Sequence, residues 1–166
     1  MARLAGIAQG APSDEIREVL LHYRRLAVVG LSPRPSRPSY RVAVHMRAAG
    51  YDITPVNPRC REVFEIPCVP DLAGTAELGP IEIVDIFRRV EEIPAVVDEA
   101  IAVGARVIWM QLGLVHEEAA ATASEAGLRV VMDRCIKMEH TRFFGGLNNV
   151  GLATGVIGSK RWQPFR

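Results

Sequence analysis

The run Leu26-Ala27-Val28-Val29-Gly30-Leu31-Ser32-Pro33-Arg34-Pro35-Ser36-Arg37-Pro38-Ser39-Tyr40-Arg41 decides the fold. Its first four residues are apolar and read as a short buried strand, which Gly30 ends. Prolines, serines and arginines fill the loop, and Tyr40-Arg41-Val42-Ala43-Val44 reads as the start of a helix. Strand, glycine turn and helix make the first half of a βαβ unit. A helix N-terminus offers unpaired backbone N–H groups and the positive end of its dipole, so this junction suits an anion. Arg34 and Arg37 add charge; Ser32, Ser36 and Ser39 add hydroxyl donors. The loop reads either as a phosphate cradle or as an ordinary βα connection with solvated arginines. Gly30 stands alone, so neither a G-x-G-x-x-G nor a G-x-x-x-x-G-K-S/T run is present.

Working outward, Ser13 stands where it can cap a helix whose face is Ile16, Val19 and Leu20. Downstream, Val42, Val44 and Met46 share a helix that ends at Gly50. A second strand covers 52–56, and Pro55 suggests that it is finishing. Residues 60–80 are irregular, with one helical turn expected at 71–77. Residues 81–87 are a third strand, and Ile93, Val96, Val97, Ala100 and Ile101 form a helix face closing at Gly104. A fourth strand at 106–110, an alanine-rich helix at 117–126 and a fifth strand at 128–132 complete the alternation. Strands alternating with helices predict an α/β fold: a single Rossmann-like, doubly wound parallel sheet of five strands with helices on both faces. The expected strand order is 3-2-1-4-5. Residues 1–12 are expected to be a flexible N-terminus, 13–140 the folded domain, and 141–166 a glycine-rich extension. That extension reads either as a loose end or as an arm on a neighbouring subunit, which makes a homodimer an expectation.

At 166 residues the chain suffices for one well-buried core. A net charge of +1 gives no reason to expect bulk nucleic-acid binding, so any positive potential must be local. Neither a secretory signal nor a membrane span is legible in the apolar runs. Three cysteines, Cys60, Cys68 and Cys135, lack C-x-x-C spacing, which argues against a disulfide framework or zinc and fits a cytoplasmic protein.

Ligands of open α/β sheets sit beyond the carboxyl ends of the strands, at the switch point. This sequence places Arg34, Arg37, Arg59, Arg88, Arg89 and Arg134 there, with Asp133 as the one carboxylate. Guanidinium forks match phosphate oxygens, so a multiply charged anion is the expected ligand. An NAD site places an Asp or Glu at the end of the second strand for the ribose hydroxyls. Here Asn57-Pro58-Arg59 stands in that place, which favours a phosphorylated ribose. NADP and coenzyme A both satisfy this, and the missing glycine fingerprint counts against NADP.

The runs VVGLSPRPSRPSY, GYDITPVNP, IVDIFRR, GARVIWMQLG and EAGLRVVMDRCIKMEH, in this order, resemble the small bacterial CoA-binding protein family. That family is similar in fold to the CoA-binding domain at the N-terminus of the succinyl-CoA synthetase alpha subunit. The resemblance spans residues 26–140. It implies a non-catalytic protein that binds coenzyme A or an acyl-CoA. By the same resemblance Gly30, Ser32, Arg37, Pro38, Ser39 and Tyr40 would hold the pyrophosphate. Val56, Asn57, Pro58 and Arg59 would meet the adenosine and its 3′-phosphate. Phe87 and Arg88 would flank the adenine or ribose, and Gln111 and Gly113 would line the floor near the pantetheine. The synthetase's phosphorylated histidine lies on a second domain for which this chain has no room.

No catalytic set stands out. His22, His45, His116 and His140 are scattered without a partnering motif; His45 reads as structural and His116 as a capping residue. His140 is expected just after the last short helix. Asp133-Arg134-Cys135 could present an activated thiol acting on CoA disulfides or thioesters, but a buried cysteine beside an N-capping aspartate is the simpler reading. Trp109 reads as core.

Overall fold

Five apolar segments pair into one parallel sheet, and what surrounds them follows from which side chains each face must bury. The computed structural model describes residues 11–145. Expectations for 1–10 and for 146–166, including the glycine-rich arm, lie outside the described residues. The sheet strands are β1 (Arg25–Val29), β2 (Asp52–Val56), β5 (Ile83–Ile86), β6 (Val107–Met110) and β7 (Arg129–Val131). A two-stranded antiparallel hairpin, β3 (Glu62–Val63) and β4 (Ile66–Pro67), stands in the stretch expected to be irregular. The expected helical turn there is a short 3-10 helix at Ala73–Thr75.

Alternate residues of each strand enter two separate cores, because both faces of a parallel sheet are covered. Leu26, Val28, Ile83, Val107, Trp109 and Val131 face one side. There they meet α1 (Ser13–His22), α2 (Pro38–Ala48) and α5 (Ile136–Phe144) through Ile16, Leu20, Met46 and Phe143. Ala27, Val29, Val84, Ile86, Ile108 and Met110 face the other side. They meet α3 (Ile93–Ala102) and α4 (Glu117–Glu125) through Val97, Ala100, Ala120 and Ala123. Trp109 is fully buried, as its strand position predicts, and its indole N–H donates to Arg134 O at 2.7 Å.

The strand order corrects the expectation. The sheet runs β2-β1-β5-β6-β7, which is 2-1-3-4-5 for the five predicted strands rather than 3-2-1-4-5. Two features of the chain explain why. Ile83–Ile86 is buried at every residue, as a central strand must be, and it pairs with β1 on one side and β6 on the other. Pro55 has no N–H to give a second neighbour, so β2 takes the edge, where that loss costs no ladder bond. The switch point therefore lies between β1 and β5, not between β1 and β6.

Smaller departures have local causes. Ser13 does not cap α1; Pro12 precedes the helix and no side-chain cap is made. Val44 points to solvent, and the buried face of α2 is Ser39, Val42, Ala43 and Met46. The last helix runs to Phe144, past the boundary expected at 140, because Phe143 belongs to the core beside α1. His140 thus lies inside α5 rather than after it. Among the described residues no helix is long and apolar enough to cross a membrane.

Candidate functional site

Gly30 ties three strand ends together. Its N–H donates to Val56 O at 2.8 Å, and Phe87 N–H donates to Val29 O at 2.8 Å. A Cβ on Gly30 would stand 2.6 Å from Phe87 O and 3.4 Å from the Arg88 side chain, and the residue has φ +90°. Only glycine lets β1 turn so close to the end of β5. The corrected strand order is what makes Phe87 and Arg88 neighbours of the first loop.

The loop after Gly30 is built by its own polar groups. Leu31 is fully buried, and Asn57 Nδ2 donates to its carbonyl at 2.8 Å. Asn57 Oδ1 accepts from Arg59 N at 2.9 Å, which shapes the turn beyond β2. Ser39 is buried, and its Oγ accepts from Ser32 N at 3.1 Å; Ser32 Oγ accepts from Arg34 N at 3.2 Å. Each hydroxyl keeps its hydrogen for donation, but its oxygen is already engaged in the loop. A turn closes with Arg37 N donating to Arg34 O at 3.0 Å. Pro38 then opens α2 at a position where no N–H is needed. The N-terminus of α2 has no side-chain cap and no acidic residue in its first turn. The positive end of this helix therefore faces the rim uncompensated.

The arginines divide into two groups. Arg88 and Arg89 both reach Glu92, at 3.8 and 3.4 Å, a carboxylate that the sequence census of the rim left out. The hydrogen bond from Arg89 N holds the Glu92 carboxyl below its ordinary range. Arg34, Arg37, Arg59 and Arg134 make no ion pair among the described residues. Arg34, Arg37 and Arg59 are exposed around the β1 loop and the end of β2.

The remaining expected residues are placed as follows. The Tyr40 ring packs on Phe64 of the hairpin turn, centroids 4.9 Å apart. Val56 is buried, Pro58 is exposed, and Phe87 is half-buried against the α2 side of the sheet. Gln111 is turned inward: it is buried, and its Nε2 donates to Asp85 Oδ1 at 2.6 Å. Gly113 is exposed, with its N–H on Asp133 Oδ1 at 2.7 Å. Asp133 therefore holds the loop after β6; Cys135 occupies the N-cap of α5 without a side-chain cap bond. His116 does cap α4, accepting from Ala119 N at 3.2 Å.

Asp85 is the residue that the sequence reading passed over. It sits in β5, the middle strand, fully buried, and its Oδ2 has no hydrogen-bond partner among the described residues. Burial pushes its carboxyl up to about 7, against the opposing bond from Gln111. The signal was a lone aspartate inside an apolar strand, Ile83-Val84-Asp85-Ile86, where a buried charge is costly. The histidines are also less scattered than expected: His45 Nε2 and His140 Nδ1 lie 3.2 Å apart, linking α2 to α5.

A family model described as "CoA binding domain" matches residues 24–141. The chain belongs to this CoA-binding domain family. It is 46% identical over 132 residues to the uncharacterised protein YneT of Bacillus subtilis (strain 168), covering 80% of this chain and 96% of that one. Among solved structures, a hypothetical protein from Pyrococcus horikoshii OT3 is 38% identical, with a TM-score of 0.75, covering 80% of this chain and 92% of that one. The dinucleotide-forming acetyl-coenzyme A synthetase 1 of Ca. Korarchaeum cryptofilum shares the fold, with a TM-score of 0.60 at 19% identity. That match covers 70% of this chain and 27% of the synthetase. The CoA-binding domain family and the five-stranded α/β architecture expected from the sequence are thus both established.

Proposed function

We propose that this CoA-binding domain holds coenzyme A or an acyl-CoA without transforming it, as a cytoplasmic carrier, sensor or partner of another enzyme. One observation carries the reading. Among the described residues Arg34, Arg37 and Arg59 make no ion pairs beside an uncapped helix N-terminus, and the end of β2 has an arginine where a bare ribose would call for a carboxylate. In this reading the Gly30 loop, Ser32 and residues 37–40 take the pyrophosphate, and Asn57, Pro58 and Arg59 take the adenosine with its 3′-phosphate. Phe87 and Arg88 border the ribose. Gln111, held by Asp85, is part of the floor rather than a free contact, and Gly113 borders the path of the pantetheine.

The test is a thermal-shift series with CoA, dephospho-CoA, NAD and NADP. A ligand at a hundred times its Kd stabilises the fold by about 2.7 kcal/mol. CoA is expected to give the largest shift and dephospho-CoA a smaller one. Arg59→Ala is expected to weaken CoA about 10- to 100-fold, as loss of a charge-assisted bond does, while leaving dephospho-CoA unchanged. Equal shifts from CoA and dephospho-CoA would remove Arg59 from the ligand site.

A further inference from the structure

The hairpin between β2 and β5 carries chemistry that nucleotide binding does not use. Cys60 precedes β3 and Cys68 follows β4. Backbone bonds hold the two ends of the hairpin side by side: Cys68 N donates to Arg61 O at 2.9 Å, and just beyond it Val69 N donates to Pro55 O at 3.0 Å. Asn57 N returns a bond to Val69 O at 2.8 Å, so the base of the hairpin is sewn to the end of β2. Both cysteines are half-buried against the same apolar cluster. The Cys60 thiol is close enough to Cys68 to raise its pKa, and Cys60 Sγ donates to Glu62 O at 3.2 Å. Burial, with the Cys60 thiol nearby, pushes the Cys68 thiol up to about 12.

We propose that Cys60 and Cys68 form a redox pair that a small-molecule disulfide oxidises to a disulfide across the base of the hairpin. The steps balance. Cys60 loses its proton to solvent, and its sulfur attacks one sulfur of the small disulfide; that S–S bond breaks and one thiol departs with a proton. Cys68 sulfur then attacks Cys60 in the mixed disulfide, and its own proton passes to the second departing thiolate. The protein gives up two electrons and two hydrogens, and the small disulfide becomes two thiols. The second step is fast because the hairpin already holds Cys68 against Cys60, which makes it intramolecular. The new bond fixes the backbone next to Asn57, Pro58 and Arg59, so oxidation state is coupled to the shape of that rim. The pairing of the thiols does not depend on the nucleotide reading.

The experiment incubates the full chain and a Cys135→Ser variant with oxidised glutathione, then measures intact mass and free thiols. Both chains are expected to lose two hydrogens between Cys60 and Cys68, and Cys135→Ser is expected to keep no glutathione and no free thiol. Dithiothreitol should reverse the change. Cys60→Ser and Cys68→Ser, each made on the Cys135→Ser chain, should instead retain one glutathione on the remaining thiol. A Cys135→Ser chain that stays unreacted, keeps glutathione as a lasting mixed disulfide, or cross-links between chains would overturn the proposal.

Discussion

Gly30 and Gly113 offer the same backbone conformation, φ +90° and +86°, in opposite surroundings. A Cβ at Gly113 meets open space, whereas one at Gly30 meets a backbone carbonyl at 2.6 Å. Alanine at either position takes on the left-handed penalty of about 1–2 kcal/mol. Gly30→Ala must also push β1 away from β5. Gly113→Ala is therefore expected to cost about 1 kcal/mol in urea denaturation, and Gly30→Ala distinctly more, with the excess measuring the close approach. Because Phe87 and Arg88 are the groups displaced, Gly30→Ala should also weaken CoA in the thermal-shift assay, while Gly113→Ala should not remove the response. Equal losses of stability in the two variants would show that the strand ends can separate freely.

The hairpin is the element least explained by its own sequence. Its two-residue loop needs φ > 0 at both central positions, a role Asn-Gly usually fills, yet Phe64 and Glu65 adopt +57° and +63°. Phe64 compensates by packing on Tyr40, with the Arg47 guanidinium 5.4 Å from its ring centre. Glu65 is exposed and makes no comparable contact among the described residues. Glu65→Gly is expected to stabilise the protein by about 0.5–1 kcal/mol, after the loss of unfolded-state restriction is subtracted, and Phe64→Gly to destabilise it; denaturation midpoints decide. This strain is why the sequence pointed to an irregular stretch: without turn residues at 64 and 65 nothing announced a hairpin. The sheet strands were legible because Val107 to Met110 is apolar on both faces, and Ile83 to Ile86 is apolar but for Asp85. Their order was not, since apolar runs do not say which neighbour they take; only Pro55, read as an ending rather than as an edge, held that information. At the site, the loop arginines were legible as charge. That Glu92 engages two of them, and that Ser32 and Ser39 are bound into the loop, depended on backbone geometry beyond a residue census.

At the scale of the whole molecule, two buried titrating groups on the same side of the sheet pull stability in opposite directions. Asp85 has its pKa raised from 3.8 to about 7, by burial against the Gln111 bond. The folded state therefore binds more protons than the unfolded state between those values. The stability tied to protonated Asp85 is complete below 3.8 and is lost as pH rises through about 7. His140 has its pKa lowered from 6.5 to about 4, first by burial, then by His45 and Arg24. Its contribution is complete above 6.5 and is lost as pH falls through about 4. His45, half-buried near Lys137, is lowered too and acts in the same direction as His140. Each fully offset proton gives a slope of about 1.4 kcal/mol per pH unit, so between pH 4 and 6.5 Asp85 and His140 largely cancel. Asp85→Asn keeps the oxygen that Gln111 bonds and removes the titration. Its stability should rise more steeply than that of the parent chain from pH 4 to 6.5 and exceed it above pH 7. His140→Gln should do the reverse, losing stability as pH climbs from 4 to 7, and the double variant should lie between them. Urea denaturation at half-unit pH steps reads these slopes. Parallel profiles for the parent chain and Asp85→Asn would mean that Asp85 does not hold its proton in the folded sheet, and that its Oδ2 is solvated after all.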